Sequence, residues 1–170
     1  NLLTFKTLLL MQCSKLAVKK REVSAEAAAH SAALMCGMQK TKMDMMCFYD
    51  ARLGISTYAG FFSPETLHPY PTYDAFLCFG ALYALGEEVE IEGLGGGIYA
   101  CAAKSGEEKA ILVVNIGAPK TLSVEPFGEC FSYIAKNGKR LKAASLCPSE
   151  FCLKKNEFAF FATKELSIPD

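Results

Sequence analysis

The stretch MDMMCFYDAR, residues 43–52, is a mostly apolar run that ends abruptly in polar residues. We predict a β-strand over residues 43–49 that is buried on both faces, because such strands have continuous rather than alternating apolar sequences. Residues just past the carboxyl end of a parallel strand often line a binding site. Tyr49, Asp50 and Arg52 are therefore predicted site residues. The alternative is that Asp50 and Arg52 pair with each other or hold the loop backbone.

A loop rich in proline, glycine and aromatic residues, residues 51–71, follows the predicted strand. A loop of this length without regular structure is usually functional or covers a neighbouring part of the protein. We predict that Tyr58, His68 and Tyr70 contribute to carbohydrate binding, since exposed aromatic rings stack on sugar faces. The alternative is that the aromatic residues of this loop form a packed lid or plug against a neighbouring domain.

Helical patterns occupy much of the first 86 residues. Residues 2–20 fit an amphipathic helix, with a strand over 2–11 as the alternative. An alanine-rich helix is predicted over 25–38, with Ser24 as its cap. A third helix, over 73–85, can be capped by Thr72 and has almost no polar face, so we expect it to be buried.

From Glu87 onward the sequence consists of short alternating runs separated by turn residues. The runs are 87–92, 97–104, 109–116, 120–125, 129–136, 139–144 and 157–163. Ser105-Gly106 and Asn137-Gly138 are typical of hairpin turns. Residues 93–97, GLGGG, lie between two such runs and also indicate a hairpin connection rather than a phosphate-binding loop, because no helix follows them.

The predicted fold class is α+β: N-terminal helices and one buried strand, followed by a small antiparallel β-sandwich. The predicted domains are a helical segment, residues 1–86, and the sandwich, residues 87–170. Basic and acidic residues number 18 each, which gives a formal net charge of zero. Neither nucleic acid nor a membrane is therefore predicted as a partner. The chain begins with Asn1 rather than Met, so we expect it to be part of a longer protein.

The chain has eight cysteines and two histidines, at positions 30 and 68. The cysteines show neither metal-ligand nor disulfide spacing, and several lie in apolar runs where cysteine behaves as a small hydrophobic residue. We therefore predict eight free thiols, no metal and no cofactor. Free thiols in a chain of this size indicate a reducing compartment, so the predicted location is cytoplasmic.

Three segments together resemble the last strand and helix of a (β/α)₈-barrel glycoside hydrolase and the β-sandwich that follows the barrel. They are AALMCGMQKTKMDMMCFYDARLG (32–54), YAGFFSPETLHPYPTYDAFLCFGALYALG (58–86) and GIYACAAKSGEEKAILVVNIG (97–117). The resemblance is to family 39, the β-xylosidase type, and implies that residues 1–86 contain the end of a barrel. In that family both catalytic groups are glutamates on earlier barrel strands, and no residue of this chain corresponds to them.

The predicted function is therefore that of a non-catalytic C-terminal portion of a glycoside-hydrolase-like protein, which supports a barrel or a sugar site. No catalytic residue is assigned. The alternative is a stand-alone module that binds carbohydrate or protein, or that drives assembly. The predicted partners are carbohydrate, a missing barrel domain or a second copy of the chain, since a strand buried on both faces needs neighbours.

Overall fold

The computed structural model describes residues 23–48, 51, 60–123, 130–136, 139–144 and 150–169. Within these ranges the chain forms two helices and eight strands. The helices are α1 (Ala25–Met38) and α2 (Pro71–Leu85), and the strands are β1 (Glu87–Val89), β2 (Ile98–Ser105), β3 (Glu108–Asn115), β4 (Lys120–Ser123), β5 (Phe131–Ala135), β6 (Lys142–Ala144), β7 (Glu150–Leu153) and β8 (Glu157–Ala162). The predicted α+β class is confirmed. Neither helix has the length and apolarity that crossing a bilayer requires.

The strands form two antiparallel sheets. Six of them follow the order β1-β2-β3-β8-β5-β6, and β4 pairs with β7 in a separate two-stranded sheet. The two helices cover one face of the large sheet, and the small sheet covers the other. The described structure therefore has three layers with a hydrophobic core on each side of the large sheet.

Strand β8 lies in the middle of the large sheet and contributes to both cores. All six of its residues are buried. Because successive side chains of a strand point to opposite faces, Phe158 and Phe160 pack under the helices, whereas Ala159 and Phe161 pack against the small sheet. The short apolar sequence of β8 is thus the signature of a strand covered on both faces.

The bounds of the two helices agree closely with the capping and turn residues in their sequences. Helix α1 has the predicted bounds, and its alanine side chains let it pack closely on α2 and on the sheet. Helix α2 begins two residues earlier than predicted, because Tyr70 is its N-cap and Pro71 occupies the first turn, where the fixed φ of proline is suitable. Gly86, with φ of 86°, ends α2.

The predicted strand over residues 43–49 is wrong for the part that the structure describes. Residues 43–48 belong to no strand, and Met43 and Met45 are 47% and 71% exposed. Met46 alone of this stretch is buried, against Met38. A parallel strand obtains its hydrogen bonds from neighbouring strands, and none lies beside these residues in the described structure.

The observed strand boundaries can be compared with the predicted hairpins. The predicted hairpin at Ser105-Gly106 is confirmed between β2 and β3, with φ of 57° at Gly106. The hairpin predicted at Asn137-Gly138 lies outside the described residues. Strand β7 is absent from the prediction, because its four residues form too short an alternating pattern to stand out in sequence.

The glycine run between β1 and β2 permits a close approach of two backbones. A Cβ atom on Gly97 would lie 2.6 Å from the backbone of Gly117, and φ at Gly97 is 86°. The N–H of Ile116 donates to the carbonyl of Gly97 at 2.9 Å. These glycines therefore close the sandwich next to the end of β3, in addition to connecting two strands.

The prediction of eight free thiols is wrong, because Cys130 is disulfide-bonded. The free cysteines among the described residues are Cys36, Cys47, Cys78, Cys101 and Cys152. The prediction used spacing along the chain and apolar surroundings, whereas a disulfide requires only that two cysteines lie close in space. Cys130, next to Glu129, was not in an apolar run. The disulfide also weakens the inference of a reducing compartment.

The three buried thiols should make stability depend on alkaline pH. Burial is the main cause that raises the pKa of Cys101 to about 12, and burial also raises the pKa of Cys36 and of Cys78. A raised pKa in the folded state stabilises the fold below the ordinary thiol pKa, and this contribution is lost as pH rises from about 9 toward 12. Urea unfolding at increasing pH should show this decline, and Cys101→Ala should make it shallower. An unchanged slope in Cys101→Ala would contradict the assignment.

Candidate functional site

The described part of the predicted site is the loop that precedes α2, residues 60–70. Its backbone closes on itself: the N–H of Tyr70 donates to the carbonyl of Phe61 at 2.7 Å, and the N–H of Ser63 donates to the carbonyl of His68 at 2.9 Å. Leu67 adopts a positive φ of 60° at the tip. The loop is therefore a compact hairpin-like unit that enters α2 directly.

Five aromatic rings pack together beside this loop; we call Phe48, Phe61, Phe62, Tyr73 and Phe76 the aromatic cluster. Phe48 stacks on Phe61 with ring centroids 4.6 Å apart and an interplanar angle of 4°. Phe76 lies 4.8 Å from Phe61, and Tyr73 lies 5.3 Å from Phe62. These rings contact one another and are half-buried. Whether they cover a neighbouring domain or bind sugar stays a prediction.

The two predicted binding residues that the structure describes differ in environment. His68 is exposed at the loop, whereas Tyr70 is half-buried and is the N-cap residue of α2. Both lie in the arm of the loop that follows Leu67. The other predicted residues, Tyr49, Asp50, Arg52 and Tyr58, lie outside the described residues, so their meeting with His68 and Tyr70 stays a prediction.

A buried ion pair next to the aromatic cluster was missed by sequence reasoning. Asp74 of α2 is fully buried and accepts two hydrogen bonds from Nε of Arg140, at 3.0 and 2.9 Å, and one from its Nη2, at 2.7 Å. The backbone N–H of Leu141 donates to the same carboxylate at 2.7 Å. The carboxylate thus has charge-assisted bonds from both a guanidinium and the backbone.

The Asp74–Arg140 pair connects the helix layer with the sandwich. Arg140 lies between β5 and β6, donates to the carbonyl of Pro169 at 3.1 Å, and lies 6.0 Å from the ring centroid of Tyr73 in the aromatic cluster. One signal was available in sequence: Asp74 is the only charged residue of α2, and a carboxylate on such an apolar helix needs a partner. No local sequence pattern identified its partner Arg140, which lies 66 residues further along the chain.

Removing the guanidinium should destabilise the protein strongly. Arg140→Met leaves the fully buried carboxylate of Asp74 without its counter-charge, which typically costs about 3–5 kcal/mol in the free energy of unfolding. Lys104→Met is the matched control, because its ion pair with Glu87 is exposed and should contribute about 0–1 kcal/mol. Chemical denaturation of both variants measures the difference. Equal stability losses would show that the Asp74–Arg140 pair is not an anchor.

No protein-family model matches the chain, and no curated protein matches it. Solved structures do resemble it. A family 30 subfamily 8 glycoside hydrolase xylanase from Clostridium acetobutylicum matches with a TM-score of 0.65 and 12% identity, covering 92% of this chain and 41% of that chain. A glucosidase from Croceicoccus marinus matches with a TM-score of 0.65 and 17% identity, covering 84% and 42%.

A family 39 β-xylosidase from Caulobacter crescentus matches with a TM-score of 0.61 and 12% identity, covering 95% of this chain and 44% of that chain. The chain therefore has a glycoside-hydrolase-like fold and spans less than half the length of these three structures. At this level of identity the similarity concerns the fold alone. Families 30 and 39 match comparably, so the fold does not single out family 39.

Proposed function

We propose that the chain is a non-catalytic portion of a glycoside-hydrolase-like protein and packs against or completes a barrel. One observation carries the proposal: the three enzymes match over 84–95% of this chain but only 41–44% of their own length. A family 39 relationship is part of the proposal and rests on the sequence segments that resemble that family. In the assembled protein, Tyr49, Asp50, Arg52, Tyr58, His68 and Tyr70 would contribute to the sugar site.

The buried carboxylates of the described residues support a non-catalytic role. They are Asp74 and Glu157. Asp74 is bound by Arg140, and Glu157 accepts a hydrogen bond from the N–H of Lys154 at 2.9 Å. Retaining glycosidases need two carboxyl groups about 5–5.5 Å apart that reach the substrate. These two carboxylates instead hold the backbone and a side chain of the fold.

Residues 43–48, which form no strand, have the features of a docking surface. Met43, Met45 and Cys47 are exposed, whereas Met46 is buried and Phe48 is half-buried in the aromatic cluster. Residues 44–48 make no backbone hydrogen bond to another described residue. An added strand would cover the exposed apolar side chains and would pair the backbone groups. We propose that a strand of the barrel does so.

A cytoplasmic location belongs to this proposal as well. It is supported by the free thiols of Cys36, Cys78 and Cys101, which lie in the core. The disulfide at Cys130 counts against it.

The transcript upstream of the Asn1 codon tests the proposed function. We expect it to encode apolar barrel strands, two of which are followed by glutamates. A transcript that encodes a complete short protein without such strands would overturn the proposal, and it would favour the stand-alone module.

The isolated chain should not hydrolyse aryl β-xylosides or α-arabinosides, because its sequence shows no carboxyl pair at the ends of barrel strands. Release of the aryl group, followed by absorbance, is the measurement, and the chain extended by the upstream segment is the positive control. Turnover by the isolated chain that a glutamate-to-glutamine substitution within it abolishes would contradict a non-catalytic role.

Without its barrel, the chain should cover the exposed methionines by self-association. Met45→Lys places a charge on this surface and should shift the chain from dimer to monomer in light scattering. Leu67→Lys is the matched control, because Leu67 is also apolar and exposed but lies on the loop before α2. A wild-type monomer whose Cys47 reacts rapidly with a thiol reagent would contradict this expectation.

A further inference from the structure

A groove of about 430 Å³ opens at the edge of the large sheet, beside β1 and β2. It is lined by Gln39 and Lys40, just after α1, by residues 88–91, and by Ala100 and Cys101 of β2. This volume is within the range of small-molecule sites, about 300–1,000 Å³. None of these lining residues belongs to the aromatic cluster or to the described part of the predicted site loop.

The hairpin between β2 and β3 determines which residues of β2 form hydrogen bonds with β3 and which face β1. Ser105 and Glu108 flank a two-residue turn, so they form a hydrogen-bonded pair. Alternate residues counted back from Ser105 therefore bond to β3, and the residues between them direct their N–H and C=O groups toward β1. The N–H of Ile98, one of these intermediate residues, accordingly donates to Gly95 at 3.2 Å instead of to β3.

Ala100 of β2 has neither a partner strand nor another backbone hydrogen bond on the side of β1 among the described residues. Ala102 faces Val89, the last residue of β1. Ala100, two residues further along, also directs its backbone toward that side but lies beyond the end of β1. No backbone hydrogen bond from Ala100 to a described residue on this side is present. A donor and an acceptor, side by side, thus face the groove.

Charged residues of opposite sign, Lys40 and Glu88, line the groove. Burial is the main cause of the raised pKa of Cys101, but Glu88 raises it further and Lys40 lowers it, so both charged groups lie near Cys101. Neither Lys40 nor Glu88 forms an ion pair with another described residue. The groove therefore offers a carboxylate, an ammonium group and an open backbone position.

We propose that this groove binds a compact polyol, a monosaccharide or a short oligosaccharide. A sugar hydroxyl both donates and accepts, so neighbouring hydroxyls can bond to the N–H and C=O of Ala100 and to the two charged groups together. An extended peptide would need several consecutive open backbone positions, and β2 offers one.

Amide hydrogen exchange read by NMR tests the proposal, with methyl β-D-xylopyranoside and methyl β-D-glucopyranoside as probes. In the free protein, the amide of Ala100 should exchange faster than that of Ala102, which β1 covers. At a sugar concentration about ten times Kd, exchange at Ala100 should slow about tenfold, while Ala102 should not change. Slow exchange at Ala100 in the free protein would mean that its N–H is already hydrogen-bonded, and it would overturn the proposal.

Two variants and a control test the charged groups. Glu88→Gln and Lys40→Met should each weaken sugar binding at least about fivefold, since each removes a charge-assisted hydrogen bond. Glu87→Gln, on the same strand but paired with Lys104, should leave the affinity unchanged. The amide spectra of all three also report whether they fold.

The proposal is overturned if neither sugar changes the amides lining the groove, or if Glu87→Gln weakens binding as much as Glu88→Gln. It is also overturned if the basic peptide acetyl-Lys-Val-Lys-amide protects Ala100 while both sugars fail to do so. The groove lies within this chain and does not require the proposed barrel. The sugar-binding experiment can therefore fail while the transcript test of the proposed function succeeds, and the reverse is also possible.

Discussion

The fold depends on burying both faces of one strand, β8, in the middle of the large sheet. Phe158 and Phe160 need the helices above them, and Phe161 needs the small sheet below. Neither layer can be removed without exposing large aromatic surface, which would cost several kcal/mol for each ring. This explains why two helices, a six-stranded sheet and a two-stranded sheet form a common structure although each is small.

Two runs that are mostly apolar had different outcomes. The run 157–163 was predicted as one of the alternating strands, and the run 43–49 was predicted as a strand covered on both faces. The first finds β3 and β5 as neighbours within the chain. The second has no neighbour in the described structure. Periodicity therefore predicts the environment that a strand needs, whereas only the rest of the protein can supply it.

Sequence patterns predicted the class, helix α1 and most strands, because those depend on local periodicity and on turn residues. They did not predict contacts between distant residues. Asp74 stood out as the one charge on an apolar helix, but Arg140 had no local signal. The same limit explains the disulfide at Cys130. For the candidate site, the sequence placed His68 and Tyr70 in one loop but could not show that neighbouring rings pack together.

The ion pair and the aromatic cluster connect the proposed docking surface with the rest of the fold. Phe48 ends the exposed stretch and stacks on Phe61, whose neighbour Tyr73 lies near Arg140. Arg140 in turn binds Asp74 and connects the start of α2 with the sandwich. Breaking the Asp74–Arg140 pair would leave a buried charge, which is costly, so the start of α2 is held firmly against the sheet layer. In the proposed assembly, this connection would support residues 43–48 where a barrel strand meets them.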